Sequence, residues 1–270
     1  MIQSFPLGLV ELNPDHPGFR DPVYRRRRDE IAAAALAHHY PDPAPIIQYS
    51  DEERAVWAEV LPRLHGLHAE RACAEHLASA PRVGFVADRI PQLAEVSDAL
   101  HEHTGFRLQP VAGLVTPRVF MEHLADGVFL ATQYMRHHSR PLYTPEPDVI
   151  HELVGHAALL TNGRYANVNR LFGEATRRAD EARVEQLIRA YWYSLEFGLV
   201  RQGGETKAFG AGLLSSIGEI ARYTTDATLR PFSIDEIVRT PFDPTQYQSV
   251  LFVAESTDAL YTALEAWLRS

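Results

Sequence analysis

The sequence predicts a mainly α domain with a small β part. Apolar residues recur at helical spacing along most of the chain, helix-opening signals precede several of these stretches, and candidate strands are few and short. Strands and helices do not alternate regularly, so a doubly wound sheet is excluded.

Taken in order, the first fifty residues are rich in proline (Pro14, Pro17, Pro22, Pro41, Pro43 and Pro45) and read as a wrap over the surface around one alanine-rich helix near 24–39. Ser50 and Glu53 form a capping box, and Val56, Val60 and Leu64 follow on one helical face. A helix therefore starts there, with a kink expected at Pro62. Further helices are predicted at 71–78, 92–104, 120–136, 149–160, 173–200, 215–224, 234–240 and 256–268, and strands at 107–110, 111–115 and 247–253.

At 270 residues, 46% hydrophobic and 23% charged, the chain has material for a sizeable core. No repeat, low-complexity linker or shift in composition divides it, so residues 1–270 read as one domain. Its 26 basic and 35 acidic residues give a net charge of −9 without long single-sign blocks, which speaks against a nucleic-acid or anionic-membrane partner. The one basic run, 25–28, meets Asp29 and Glu30 at once and reads as a solvated helix face. A single cysteine, Cys73, excludes an internal disulfide and a cysteine-based zinc site, and suits a reducing cytoplasm. No stretch approaches the roughly 18 apolar residues of a membrane span. Residues 1–12 lack a basic start and a small-residue cleavage pattern, so neither a signal nor a transit peptide is expected.

Among 13 histidines, His151 and His156 stand apart. They bracket His151-Glu152-Leu153-Val154-Gly155-His156, behind the turn-rich stretch Tyr143-Thr144-Pro145-Glu146-Pro147-Asp148, where Asp148 is a candidate N-cap. Zinc hydrolases place two histidines four apart; here they are five apart, about 140° of rotation on a regular α-helix. One metal can join them only across a π-type turn or a break at Gly155. On spacing alone, a metal pair and two unrelated histidines are both open readings.

Glu196 is the candidate third ligand. It is the one charged residue in the apolar run 190–200, and a helix would put it on a face with Ile188, Trp192 and Leu199. A carboxylate aimed into a core must be paired or coordinated, so a buried salt bridge and a metal both account for it. Two histidines and a carboxylate suit a non-haem Fe(II) site with open positions. Arg136, reading as the end of an amphipathic helix, offers a carboxylate clamp or a structural salt bridge. Trp192 offers a stacking surface or core packing. The stretch Gly210-Ala211-Gly212-Leu213-Leu214-Ser215-Ser216 lets backbone approach a ligand, although no strand precedes it as a dinucleotide fingerprint requires.

These residues resemble a family, the tetrahydropterin-dependent aromatic amino acid hydroxylases. The likeness runs from Asp15-His16-Pro17-Gly18-Phe19-Arg20-Asp21-Pro22-Val23-Tyr24 through Ile90-Pro91-Gln92-Leu93, Thr104-Gly105-Phe106 and Pro110-Val111-Ala112-Gly113. It continues through Thr132-Gln133-Tyr134-Met135-Arg136-His137, the 143–148 turn, the histidine segment, Glu196-Phe197-Gly198-Leu199, residues 210–216 and Val253-Ala254-Glu255-Ser256.

The resemblance implies that family's catalytic fold and ring hydroxylation of an aromatic amino acid, foremost phenylalanine, with tyrosine or a meta-hydroxylated isomer as product. Tyrosine and tryptophan are the alternative substrates. It implies Fe(II) on His151, His156 and Glu196, a tetrahydrobiopterin or related tetrahydropterin, and O2 as co-substrate. It places Arg136, Thr144, Gly212 and Ser215 at the amino acid's carboxylate, and Pro147, Trp192 and Phe197 around its ring. Ser215 also steadies a ligand histidine. Phe120 stacks on the pterin, Gly113, Val115 and Tyr191 line its site, and Glu152 lies near its polar edge.

Some positions depart from the family pattern. Ala158 stands where proline is usual after the second histidine, and Phe209 where tyrosine is usual. Leu130 stands at a pocket position that is histidine in the animal phenylalanine and tyrosine enzymes, which opens the ring position. Pro244 falls where tyrosine hydroxylases place an aspartate. The chain reads as a catalytic domain without a regulatory domain or oligomerisation helix, hence a monomer or weak dimer. A zinc hydrolase with Glu152 as base and a non-catalytic binding protein on the same fold are the rival readings.

Overall fold

A computed structural model describes residues 10, 12–142, 144 and 146–270; Tyr143 and Pro145 of the predicted turn, and residues 1–9 and 11 of the opening segment, lie outside the described residues. Asp21 opens α1 (Pro22–Leu36), its carboxylate accepting from the Val23 and Tyr24 N–H groups. The reciprocal Ser50–Glu53 capping box opens α2 (Asp51–Arg71). This helix runs through Pro62 to Arg71, with Pro62 on its exposed side, where water can serve the freed carbonyl. Ala72 and Cys73 are extended, and α3 (Ala74–Val83) and α4 (Leu93–Thr104) follow, each ending on a left-handed glycine, Gly84 and Gly105.

The predicted strand at 107–110 is β1 (Arg107–Pro110). Residues 111–115 form no strand; Val111 N–H still donates to Ala131, and the chain then loops away to α5 (Pro117–Leu124). The helix predicted over 120–136 is wrong beyond Leu124. Gly127, at φ 70°, ends the turn, and the wholly buried β2 (Val128–Ala131) pairs in parallel with β1, so Arg136 sits on irregular chain rather than at a helix end. A short, uniformly apolar run carries no period that separates strand from helix.

The segment predicted as a helix over 149–160 is helical but mostly wide. Residues 149–150 open it, a first π-helix spans His151–Ala157, and α6 (Ala158–Leu160) closes it. The long helix predicted over 173–200 is instead α7 (Gly163–Arg178), α8 (Glu181–Tyr191), a second π-helix (Trp192–Glu196) and β3 (Leu199–Gln202). Asp180 accepts from Arg183 N–H and so opens a new helix inside the apolar pattern.

Strand β3 turns through Gly203 and Gly204 into the antiparallel β4 (Glu205–Ala208). Then come α9 (Ala211–Ser215), α10 (Ile217–Asp226), β5 (Thr228–Pro231), α11 (Ile234–Ile237), β6 (Val250–Ala254) and α12 (Thr257–Arg269). The four strands order as β4-β3-β6-β5, with β6 parallel to both neighbours. Helix prediction thus held for most elements, while β2 to β5 were not foreseen.

The core is continuous, with Trp57, Phe106, Phe129, Tyr165, Phe172, Tyr193, Phe209 and Phe252 fully buried. In it the first π-helix packs against α4 and α9, and the second against α9 and β6. None of the described helices is long and apolar enough to cross a membrane.

Helix α7 crosses α5 at Gly173, where an added Cβ would lie 2.2 Å from the Ala125 nitrogen and 2.7 Å from the Met121 oxygen. Gly173→Ala is expected to cost about 1–3 kcal/mol through overpacking, read as a lower denaturation midpoint. An unchanged midpoint would mean that the two helices do not pack this closely.

Candidate metal centre

The widened first π-helix answers the spacing problem. Its i→i+5 bonding turns residues five apart toward one another, and the Nε2 atoms of His151 and His156 lie 3.0 Å apart. Glu196 closes the second π-helix and brings Oε1 to 3.0 Å from His156 Nε2 and Oε2 to 3.7 Å from His151 Nε2. These three are the one group of at least three histidine, cysteine or acidic side chains among the described residues with ligand atoms converging within 4.8 Å.

Burial presses His151 down to about 4, which keeps it neutral. Burial would lower His156 too, but the Glu196 carboxylate outweighs it and raises that ring, so a bound cation would take the place of its proton. Burial would raise the Glu196 carboxyl, but His156 and His151 beside it outweigh that and hold it below its ordinary value. Ser215 Oγ donates to the Ala211 carbonyl at 2.8 Å, so it accepts from His151 Nδ1 at 2.9 Å. That bond places the proton on Nδ1 and leaves the Nε2 lone pair facing the other two donors.

Close packing fixes these elements against each other. Helix α9 lies on the first π-helix, and a Cβ at Gly155 would meet the Ala211 oxygen at 2.7 Å. A Cβ at Gly212 would strike the Phe197 ring at 2.5 Å, so that ring rests on bare backbone. Phe129 of β2 covers His156, with ring centroids 4.7 Å apart.

Arg136 is buried, and its clamp is already filled. Asp148 takes Nε and Nη2 at 2.7 Å each and the Arg136 backbone N–H at 3.0 Å. The structural salt bridge is therefore present, and Nη1, 3.4 Å from the Pro141 carbonyl, and the second N–H of Nη2 remain for another acceptor. Asp148 also accepts from His151 N–H, which bears out its predicted capping role and joins the arginine to the histidine segment. Thr144 donates to the Glu146 carbonyl, and the Pro147 carbonyl accepts from Thr132 and Tyr134 hydroxyls.

Trp192 stacks on Phe242 at 4.3 Å and lies 4.6 Å from Phe197. Its Nε1–H donates to Gln248 Oε1, and the Gln248 backbone N–H donates to Glu219. Burial pushes Glu219 up to about 7.

On the other flank, Phe120 packs edge-on to Phe129 and Tyr191, whose hydroxyl donates to Asn169. Gly113 and Val115 lie on the partly exposed loop before α5. Leu130 is buried on β2. Glu152 is buried, with Oε1 accepting from both the N–H and the hydroxyl of Thr132, and burial raises it to about 7. Sequence reasoning missed Asp148 as the partner of Arg136, Thr132 as the partner of Glu152, and Phe129, Phe242 and Gln248 as supports. Each meets its partner across elements, which a pattern along one helix does not show.

Residues 8–270 match the profile described as biopterin-dependent aromatic amino acid hydroxylase. The tyrosine 3-monooxygenase of Homo sapiens is 45% identical over 251 residues, which is 91% of this chain and 48% of that one. The phenylalanine-4-hydroxylase of Bos taurus is 44% identical over 252 residues, 92% of this chain and 56% of that one. The chain spans about half the length of the curated relatives it matches. The crystal structure of Chromobacterium violaceum phenylalanine hydroxylase with bound iron(III) and 7,8-dihydrobiopterin superposes at a TM-score of 0.80, with 32% identity over 90% of this chain and 89% of that one.

Replacing His151 or Glu196 by alanine is expected to abolish stoichiometric binding of Fe(II) or Co(II), measured by titration under argon. Ser215→Ala should weaken it about 10- to 100-fold; full retention in all three variants would disprove the ligand assignment. The Glu219 carboxyl, raised in the fold, contributes stability that is fully present below the unfolded value near 4.5 and is lost as pH rises through about 7. Glu219→Gln should therefore flatten the fall in Tm between pH 5 and 8, and an undiminished fall would place the responsible group elsewhere.

Proposed function

Because this chain belongs to the biopterin-dependent aromatic amino acid hydroxylases, we propose that it is a pterin-dependent monooxygenase that hydroxylates the ring of an aromatic amino acid, foremost phenylalanine. The observation that carries this reading is the convergence of His151, His156 and Glu196 on one point, from two π-helices, in a chain without a second cysteine to offer other metal chemistry.

Two imidazoles and a carboxylate suit ferrous iron, and such a set leaves coordination positions open. When bound, ferrous iron and a tetrahydropterin supply the reducing equivalents and the activation of O2. The chain's own side chains bind, orient and exclude water. Arg136, held rigidly by Asp148, presents Nη1 to the amino acid's carboxylate, with Thr144, Gly212 and Ser215 nearby in the proposed substrate set. A fixed guanidinium positions an anion at little entropic cost.

Trp192, Phe197 and Pro147 form the walls for the substrate ring, and the stack of Phe242, Trp192 and Phe197 keeps those walls in place. Phe120 and Tyr191, with Gly113 and Val115, form the proposed pterin face, and Glu152, held by Thr132 just past β2, belongs to the same proposed set. The five-residue histidine spacing on a π-helix and the family match count against a zinc hydrolase. Leu130 is apolar and buried, so no imidazole stands at its position.

The test is an assay with Fe(II), tetrahydropterin and O2 that offers phenylalanine, tyrosine and tryptophan together and resolves ortho, meta and para products. One hydroxylated phenylalanine is the expected outcome. Pterin oxidation with no hydroxylated amino acid would contradict the substrate reading, and no pterin oxidation at all would contradict the enzyme reading. Arg136→Ala is expected to raise KM for the amino acid more than KM for the pterin; the reverse pattern would remove Arg136 from the substrate site.

A further inference from the structure

A buried histidine pair on α2 and α3, distant in sequence from the metal ligands, leads to them through hydrogen bonds. His68 Nε2 lies 2.6 Å from the Leu214 carbonyl, and His76 Nε2 lies 3.2 Å from His68 Nδ1. Both rings are buried. A carbonyl oxygen only accepts, so His68 carries its proton on Nε2 and its Nδ1 is an acceptor. His76 Nε2–H fills that acceptor, which locks the tautomer that His68 needs.

The carbonyl so held belongs to the residue before Ser215, in a helix of five residues whose last carbonyl groups lack intrahelical partners. The other end of the same segment is held from the same corner of the fold, where Cys73 N–H donates to the Ala208 carbonyl at 2.8 Å and Ala72 pairs with Ala208 as a bridge. The α2–α3 corner thus grips the 208–215 segment at both ends. From that segment Ser215 reaches His151 Nδ1.

We propose that His68 is a positioning residue for the metal centre, acting through Leu214 and Ser215 on the orientation of His151, with His76 fixing its tautomer. This rests on the reading of His151 as a metal ligand. Without the His68 bond, α9 keeps its packing on the first π-helix but loses the restraint that aims its last residue. Ser215 then samples positions from which it no longer orients the His151 ring.

Loss of the Leu214 contact should act on the metal, and only when Ser215 is present. The experiment titrates Co(II) and Fe(II) under argon into the full chain, following the Co(II) ligand-field absorption, for His68→Phe, Ser215→Ala, the double variant and His68→Gln. His68→Phe is expected to weaken binding about tenfold, the low end for hydrogen-bond partners of metal ligands. In the Ser215→Ala background the same substitution should change affinity by less than about twofold, since residues in one network do not add. His68→Gln keeps a donor toward Leu214 and an acceptor toward His76, and should restore near-parental affinity.

Should His68→Phe fail to fold, His68→Phe/His76→Leu removes both members of the polar pair together, which costs far less than leaving one unpaired. The double variant should show the same tenfold loss. Unchanged affinity in these variants, or an equal loss with and without Ser215, overturns the proposal. Binding that survives His151→Ala overturns the metal reading on which it stands, and the two failures are told apart by that one control.

Discussion

Two imidazoles five residues apart can face one metal only if the helix between them widens or breaks, and the rest of this site is arranged around the widening. A π-helix gives up ordinary helical hydrogen bonding, so it persists only where its surroundings specify it. Here Asp148 opens the segment by accepting from His151 N–H, and α9 presses on it at Gly155, where no side chain larger than hydrogen fits. At its far end the Ala158 N–H donates to the Leu153 carbonyl, a bond that proline at that position would lack.

The same economy appears in the side chains. Asp148 clamps Arg136, caps the histidine segment and stays ionised inside the protein, because Arg136 and the backbone donors outweigh the cost of its burial. A buried charge with one partner is weak support for stability, but one with four donors is a rigid joint. That joint ties the proposed substrate-carboxylate residue to the proposed metal ligands, so both halves of the site are set by one hydrogen-bonded unit. Glu152 plays the corresponding part toward β2, and Gln248 with Glu219 toward Trp192.

The centre was more legible in the sequence than the sheets. His151, His156 and Glu196 could be singled out because each breaks a local rule: a histidine spacing that an α-helix cannot use, and a lone carboxylate in an apolar run. The spacing called for a π-type turn or a break at Gly155 if one metal is to join the pair, and a π-helix is present. Strands β2 to β5 escaped because four-residue strands carry too few residues to show a period, and β2 is buried on both faces. The long helix over 173–200 failed at Asp180 and again at Glu196, places where capping and a functional turn override an unbroken apolar pattern. The partnership of Arg136 with Asp148 joins residues 12 apart on irregular chain, and no helical or strand period connects them.

The central claim is that one metal joins His151, His156 and Glu196 across two π-helices. X-ray absorption of the Fe(II)-loaded chain tests it most directly, because imidazole ligands leave a multiple-scattering pattern that can be counted. Two imidazoles with all other donors oxygen is the predicted result. A spectrum with one imidazole or none would contradict it.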